Sequence, residues 1–380
     1  MKTTQSILII LLFIESLQKS DVYFTKDISS QKIVDMFKKL NIELTGKIGL
    51  KVHTGEREGP YFLRPSLLKD IYDYTGGTFI ECNTAYTSGH RHTTELHEGT
   101  LKINGWSDYR IVIMDENEAN DYKLNVKNHH NISENIVGEH LKDFDSCLVL
   151  AHFKGHTMGG FGGAMKQLSI GFASRAGKAN IHSGGYTTEY EDCWNHEAAQ
   201  FDFTSAMADA ASTIVDYFKG KGKIAYINVL ANISTMCDCG GKWAPAPNIS
   251  DIGILASLDP VAIDQACYDL IYNEHTIGSE KWVNQATRLL ALNTLKVAEE
   301  LGIGSRDYNL IDVDKEEEKN YTWYIVIGVI GFVVIVAIIG VIVYYFKFKI
   351  KKSPEKEGKL VYENETENEG FGDAAISRAE

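Results

Sequence analysis

Apolar residues recur along this chain in two spacings. Positions three and four apart predict amphipathic helices, and short continuous apolar runs predict strands buried on both faces. SSQKIVDMFKKLNIEL predicts a helix, and KIGLKVHTG a strand ending at Gly55. PSLLKDIYDYTGG reads as a helix with Pro65 near its first turn and Gly76 and Gly77 past its end. Next come a strand (TFIECNT), a helix (TTELHEGTLKING), a strand (YRIVIMDE), a helix (SENIVGEHLKDFD) and a strand (SCLVLAHF). After a glycine-rich stretch, FTSAMADAASTIVDYFKGKG predicts a helix, and KIAYINVLANI and IGILASLDP predict strands. VAIDQACYDLIYNEH is a helix, and NQATRLLALNTLKVAEELGIG one long helix. Strand and helix alternate with no evident linker or repeat. The expected fold is α/β, a mostly parallel sheet covered by helices on both faces. Ligands of such a sheet gather at the carboxyl ends of its strands.

The two ends depart from this pattern. Residues 1–20 begin with Lys2, run apolar from Ile7 to Ile14 and then turn polar, which is the layout of a signal peptide. Residues 324–346 carry no charge. As a helix they would extend about 34 Å, enough for the ~30 Å hydrocarbon core of a bilayer. Trp323, Tyr324, Tyr344 and Tyr345 stand at the two interfaces, and Lys347, Lys349, Lys351 and Lys352 follow. Positive charge stays on the cytoplasmic side. The expectation is a type I single-pass membrane protein: an ectodomain over 21–320, extracellular or lumenal, a transmembrane helix over 324–346 and a disordered cytoplasmic tail over 347–380. Asn131, Asn232, Asn248 and Asn320 head Asn-x-Ser/Thr sequons and would be glycosylated on the outer side. Asn364 heads another on the inner side and would stay bare.

Composition narrows the function classes. The 380 residues carry a formal net charge of −13, which argues against nucleic acid as a partner. Six cysteines do not make a disulfide scaffold. Cys147 and Cys267 sit in apolar runs and read as small core residues.

The candidate chemistry lies at predicted strand ends. In HFKGHTMGGFGGAMKQLSIG, residues 152–171, His152, Lys154 and His156 alternate and would share a face. Gly159, Gly160, Gly162 and Gly163 allow close backbone approach. The helix opening before Lys166 would offer free N–H groups to an anion. Standard phosphate motifs fail in detail: no Gly-Lys-Ser/Thr occurs here, and Met165 stands where the dinucleotide pattern needs a small residue. Cys237 and Cys239 form a Cys-x-Cys at another strand end, either two soft metal ligands or a disulfide. SGHRHTTELHEG adds Arg91, with His90 and His97 read as solvated and Thr93 or Thr94 as a helix cap. KVHTGE contributes Lys51 and His53, and SRAGKANIHSGG contributes Arg175, Lys178 and His182. Five such segments at strand and helix ends imply one shared polar pocket.

These same stretches carry a resemblance. AHFKGHTMGGFGGAMKQLSIGFASRAGK, CNTAYTSGHRHTTELHEGTLKINGW, KVHTGEREGPYFLRP and YINVLANISTMCDCGG, followed by DIGILASLDPVAIDQACYDL, resemble the domain of unknown function 362 family over about 45–313. Members of that family are often labelled uncharacterised iron–sulfur centre proteins. Many carry a ferredoxin-like insertion after the segment that matches SRAGKANIHSGG. This chain has only Cys193 there, so it resembles the short branch and no ferredoxin-type [4Fe–4S] cluster is expected. His156 and Lys166 are also spaced comparably to a His…Gly-Gly-x-Lys stretch of lactate racemase-like nickel-pincer enzymes, with the glycines out of register.

The leading expectation is an ectodomain that binds a metal or metal-containing cofactor, with oxidoreductase-like chemistry in view. His152, His156, Cys237 and Cys239 would be the metal ligands. Lys51, His53, Arg91, Lys154, Gly159, Gly160, Gly162, Gly163, Lys166, Arg175 and Lys178 would line the cofactor site. The alternatives are a binder or enzyme for a small anionic ligand, and a non-catalytic surface glycoprotein that keeps the fold. No catalytic residue, metal or protein partner is assigned.

Overall fold

The computed structural model describes residues 19–236 and 238–350, without the side chains of 238, 239, 316–322, 324–326, 349 and 350. Most of the expected signal peptide, Cys237 and the tail from residue 351 therefore lie outside the described residues. The first strand, β1 (Ser20–Thr25), starts where that signal peptide was expected to end.

Along the chain follow α1 (Ser30–Lys39), β2 (Ile48–Lys51), α2 (Lys69–Thr75), β3 (Thr78–Glu81), α3 (Thr94–Ile103), β4 (Ile111–Ile113), β5 (Tyr122–Asn125), β6 (Glu134–Val137) and β7 (Ser146–His152). Then come β8 (Lys154–His156), β9 (Gly160–Gly162), α4 (Ala164–Lys166), α5 (Arg175–His182), α6 (Gln200–Lys221), β10 (Ile224–Leu230) and β11 (Gly253–Ser257). The last elements are α7 (Pro260–Tyr272), α8 (Ile277–Arg288), α9 (Ala291–Glu300), β12 (Tyr308–Asp312) and α10 (Val313–Ile350).

Eight strands form the main sheet in the order β12-β1-β11-β10-β7-β2-β3-β4. β10, β7, β2, β3 and β4 are parallel neighbours, while β11 runs antiparallel to both β10 and β1. The period of two along each strand sends alternate side chains to opposite cores. On β7, Cys147, Val149 and Ala151 join the core with α6 and α7, and Leu148 and Leu150 join the core with α1 and α2. This is why the strands read as unbroken apolar runs, and it confirms the α/β expectation.

The strand order also fixes where a ligand can sit. β2, β3 and β4 proceed to one side in sequence order, and β7 then returns to the other side of β2. Outward connections at such a reversal leave a crevice beyond the carboxyl ends of the two central strands.

Two helix expectations are corrected. SENIVGEHLKDFD forms β6 and a short 3-10 turn (Glu139–Asp143), not a helix. β6 pairs antiparallel with β5, and Asn135 turns inward to donate to the Ala210 carbonyl at 3.2 Å and Thr213 Oγ1 at 2.9 Å. Those tertiary bonds outweigh the helix-like spacing of the apolar residues. The single long helix from Asn284 is instead the end of α8 and all of α9. Leu290 adopts a left-handed φ of 49°, and Gln200 Nε2 caps the break by donating to the Leu289 carbonyl at 2.7 Å.

Two compact units divide at Glu317 and Glu318. In the second, Ile327–Phe348 is long and apolar enough to cross a membrane, and none of it is buried. At 22 residues it extends about 33 Å. The first turn of α10 belongs to the first unit: Asp314 accepts from Thr25 Oγ1 at 2.7 Å and from the Lys26 N–H at 2.8 Å.

Candidate functional site

A cleft of about 240 Å³ opens beyond the carboxyl ends of β2, β3 and β7. His53 follows β2, Glu81 and Cys82 close β3, and His152 and Lys154 follow from β7 into the β8–β9 hairpin. His156, Lys166, Lys178 and His182 complete its polar lining with Arg91. The position matches the crevice that the strand order creates.

A buried ion network forms one wall. Lys51, fully buried under the cleft, donates to Glu81 Oε1 at 2.8 Å, Gln167 Oε1 at 2.9 Å and the Val52 carbonyl at 2.7 Å. Arg91 donates to Glu56 Oε1 through Nη2 at 2.6 Å and Nε at 3.1 Å, and its Nη1 lies 3.6 Å from Glu81 Oε2. Tyr86 also donates to Glu56 Oε1, at 2.5 Å. Burial alone would raise both carboxyls, but Arg91 holds Glu56 at about 2 and Lys51 draws Glu81 well below its usual range. Two cations face two carboxylates, so this wall is close to neutral.

The opposite wall carries the lysines Lys154, Lys166 and Lys178. Lys154 is 5% exposed, and burial followed by the charge of Lys166 pushes it well below the ordinary ammonium range. Burial, then the charge of Arg91, brings Lys166 down to about 8. Among the described residues no hydrogen bond or ion pair is made by the Lys166 ammonium, while its backbone carbonyl accepts from Ser169 Oγ at 3.4 Å. Lys178 donates to the Ala173 carbonyl.

The histidines around these lysines are neutral. Burial and neighbouring positive charge lower His53 to about 4, and His152 and His182 to about 3, while His156 is lowered well below its usual value. The bonds set their tautomers. His156 Nδ1 accepts the N–H groups of Gly159 at 3.0 Å and Met158 at 3.2 Å, so its proton sits on Nε2. His152 Nε2 donates to the Ala231 carbonyl at 2.6 Å, which leaves the lone pair on Nδ1. The His182 ring stacks on Phe203 at 4.9 Å and packs against Trp194 at 5.0 Å.

The helix N-terminus expected to hold an anion is already occupied. Asp264 accepts the N–H groups of Ala164 at 2.8 Å and Met165 at 2.9 Å, together with Asn228 Nδ2 at 2.7 Å. A Cβ on Gly163 would stand 2.5 Å from Asp264 Oδ1, so glycine is required for this approach. The carboxylate therefore fixes the turn that presents Lys166 to the cleft.

Of the expected cofactor residues, His53, Arg91, Lys154, Gly162, Gly163, Lys166 and Lys178 line the cleft, as do His152 and His156. Lys51 supports it from below. Gly159 donates its N–H to His156, and Gly160, at φ 78°, packs against Ala291. Arg175 points elsewhere, pairing with Glu118 at 2.7 Å and stacking over Tyr190 at 3.5 Å. Of the expected metal ligands, Cys237 and the side chain of Cys239 lie outside the described residues. Among the described residues, no three His, Cys, Asp or Glu side chains are placed to hold a metal ion together.

His97 is not solvated. It is fully buried, with Nδ1 at 3.1 Å from Asn83 Oδ1 and Nε2 at 3.3 Å from Thr54 Oγ1. Thr93 caps α3, accepting the Leu96 N–H at 3.3 Å. Sequence reasoning missed Glu81, Trp194 and Asp264. A lone Glu at the end of the apolar strand TFIE was the one local signal for Glu81. Asp264 reads as an ordinary helix residue, because its partners lie about a hundred positions away. Among the sequons, Asn248 is exposed, Asn131 and Asn232 are half-buried, and the side chain of Asn320 lies outside the described residues.

No curated protein matches the chain. Among solved structures, a crystal structure of a Thermotoga maritima protein aligns with 72% of this chain and 59% of its own, at 14% identity and a TM-score of 0.34. The lactate racemase apoprotein from Thermoanaerobacterium thermosaccharolyticum aligns with 65% of this chain and 57% of its own, at 16% identity and a TM-score of 0.35. The chain thus spans less than two thirds of the length of either. A family model described as domain of unknown function (DUF362) matches residues 48–269, more than half of the chain, and the chain belongs to that family.

Proposed function

We propose that the α/β domain binds a small anionic ligand in the cleft at the ends of β2, β3 and β7. The observation that carries this reading is the placement of Lys154 and Lys166 in one cleft, against a wall whose own charges balance. The half-buried Lys166 ammonium opens into this cleft beside the positive charge of Arg91, and a bound anion there meets a favourable potential. The neutral imidazole of His156 adds an N–H donor at Nε2. The cleft, at about 240 Å³, suits a small ligand.

The anionic reading is favoured by the convergence of Arg91, Lys154, Lys166 and Lys178 on one cleft. Titration calorimetry of the purified protein with phosphate and small carboxylates tests it. Binding weakened at least tenfold in Lys154→Met is expected. No binding of any small anion, together with stoichiometric metal by elemental analysis, would overturn the reading in favour of the metal centre.

The same proposal includes location. The chain is a type I single-pass membrane protein anchored by Ile327–Phe348, with the α/β domain outside and the lysine-rich flank from Lys347 inside. Cleavage of a signal peptide near residue 20 would leave β1 at the start of the mature domain. Exposed Asn248 is then open to glycosylation.

A further inference from the structure

A third wall of the cleft is uncharged. Met158, Ile170, His182 and Trp194 line it. Behind Met158 and Ile170 lies a small apolar core that contains Phe203. The neutral His182 ring is held between Phe203, stacked at 4.9 Å, and Trp194, at 5.0 Å. Trp194, Met158 and Ile170 are each only half-buried. Side chains that served the core alone would be covered by protein, whereas these three keep apolar surface open at the cleft. The segment that carries Trp194 is firmly tied. Ser183 Oγ donates to the Thr187 carbonyl and accepts its N–H, both at 3.0 Å, and the Ala198 N–H donates to the His182 carbonyl at 2.9 Å. Cys193, just before Trp194, is fully buried, and the Arg175 guanidinium stacks on Tyr190 at 3.5 Å. Arg175 thus helps to hold the segment that brings Trp194 to the cleft. A fixed aromatic ring with an open face is organised in advance for a ligand.

Resting on the anionic-ligand reading, we propose that the ligand is a small carboxylic acid with an apolar body about the size of one ring, and that Trp194 selects for that body. The acid group meets the positive charge of Arg91 and Lys166, and the ring lies against Trp194, Met158 and Ile170. Packing on the indole removes apolar area from water on both partners, and offset stacking adds to it. A cleft of about 240 Å³ has room for such a molecule. An inorganic anion would leave the apolar wall facing water.

The test is titration calorimetry on the full chain in an uncharged detergent, with phenylacetate, acetate and 2-phenylethanol as probes. Phenylacetate should bind more tightly than acetate by roughly tenfold or more, since burying a phenyl ring is worth at least that factor. 2-Phenylethanol, which lacks the acid, should bind more weakly than phenylacetate. In Trp194→Ala the advantage of phenylacetate over acetate should fall to within about threefold while acetate affinity stays the same, which a general loss of structure would not produce. The wild-type comparison decides the ligand class even where that variant fails to fold. Equal affinity for acetate and phenylacetate would overturn the apolar body and leave the anionic cleft standing. An advantage that survives in Trp194→Ala would overturn Trp194 as its source. 2-Phenylethanol binding as tightly as phenylacetate would overturn the anionic reading and the ligand class together. No binding of either acid would overturn the ligand class, and the anionic reading with it where phosphate also fails to bind.

Discussion

At the scale of single residues, the site depends on how burial is compensated. Lys166 falls from 10.5 to about 8, first through burial and then through Arg91. A base whose folded value is depressed contributes stability above its unfolded value and loses it as pH falls through the folded one. Lys166→Met should therefore stabilise the protein at pH 6, by up to about 3 kcal/mol. The gain should shrink above pH 8 and vanish near pH 10.5, as read from denaturant midpoints. Asp264 presents the reverse case. Asp264→Ala strands two buried N–H groups and the Asn228 amide, and should cost on the order of 4 kcal/mol. Because it also frees the turn before Lys166, it should weaken anion binding well away from the carboxylate itself. The lysines and histidines of the cleft were legible in the sequence because unusual residues recur at strand ends. Asp264 and Glu81 were not, because a carboxylate on an apolar element carries no sign of its distant partner.

At the scale of elements, local pattern succeeded where burial is periodic and failed where tertiary bonds intervene. α6 and β7 formed as read, since each keeps one spacing throughout. β6 was misread because Val137, Leu141 and Phe144 repeat at helical intervals, while the deciding bonds run from Asn135 to α6. The break between α8 and α9 was hidden for a similar reason. Leu290 has high helix propensity, but its left-handed φ is imposed by the packing around it. Leu290→Gly should relieve that strain and stabilise the protein by about 0.5–1 kcal/mol, although glycine is ordinarily the worse helix residue. A rise in melting temperature would confirm it, and a fall would show that the leucine side chain contributes more than the strain costs.

At the scale of the whole molecule, the chain joins a sheet domain to an apolar helix through the first turn of α10. A chain ended after residue 318 keeps Val313 and Asp314, which the domain needs, and loses Ile327–Phe348. It should leave membranes on carbonate extraction, whereas the full chain should stay with them. If the topology is as proposed, endoglycosidase should shift the mobility of the full chain, Asn248→Gln should reduce that shift, and Asn364→Gln should leave it unchanged. The sequence by itself determined the α/β alternation, the apolar span and the strand-end clustering of Lys and His. Each follows from periodicity or composition, which are local properties. Only the tertiary structure decided that β2 and β7 are neighbours across a reversal of strand order, and that Arg91 and Lys51 neutralise one wall. It also decided that Asp264 fills the helix end once expected for a ligand. Contacts between residues thirty to a hundred positions apart carry those facts, and no local pattern encodes them.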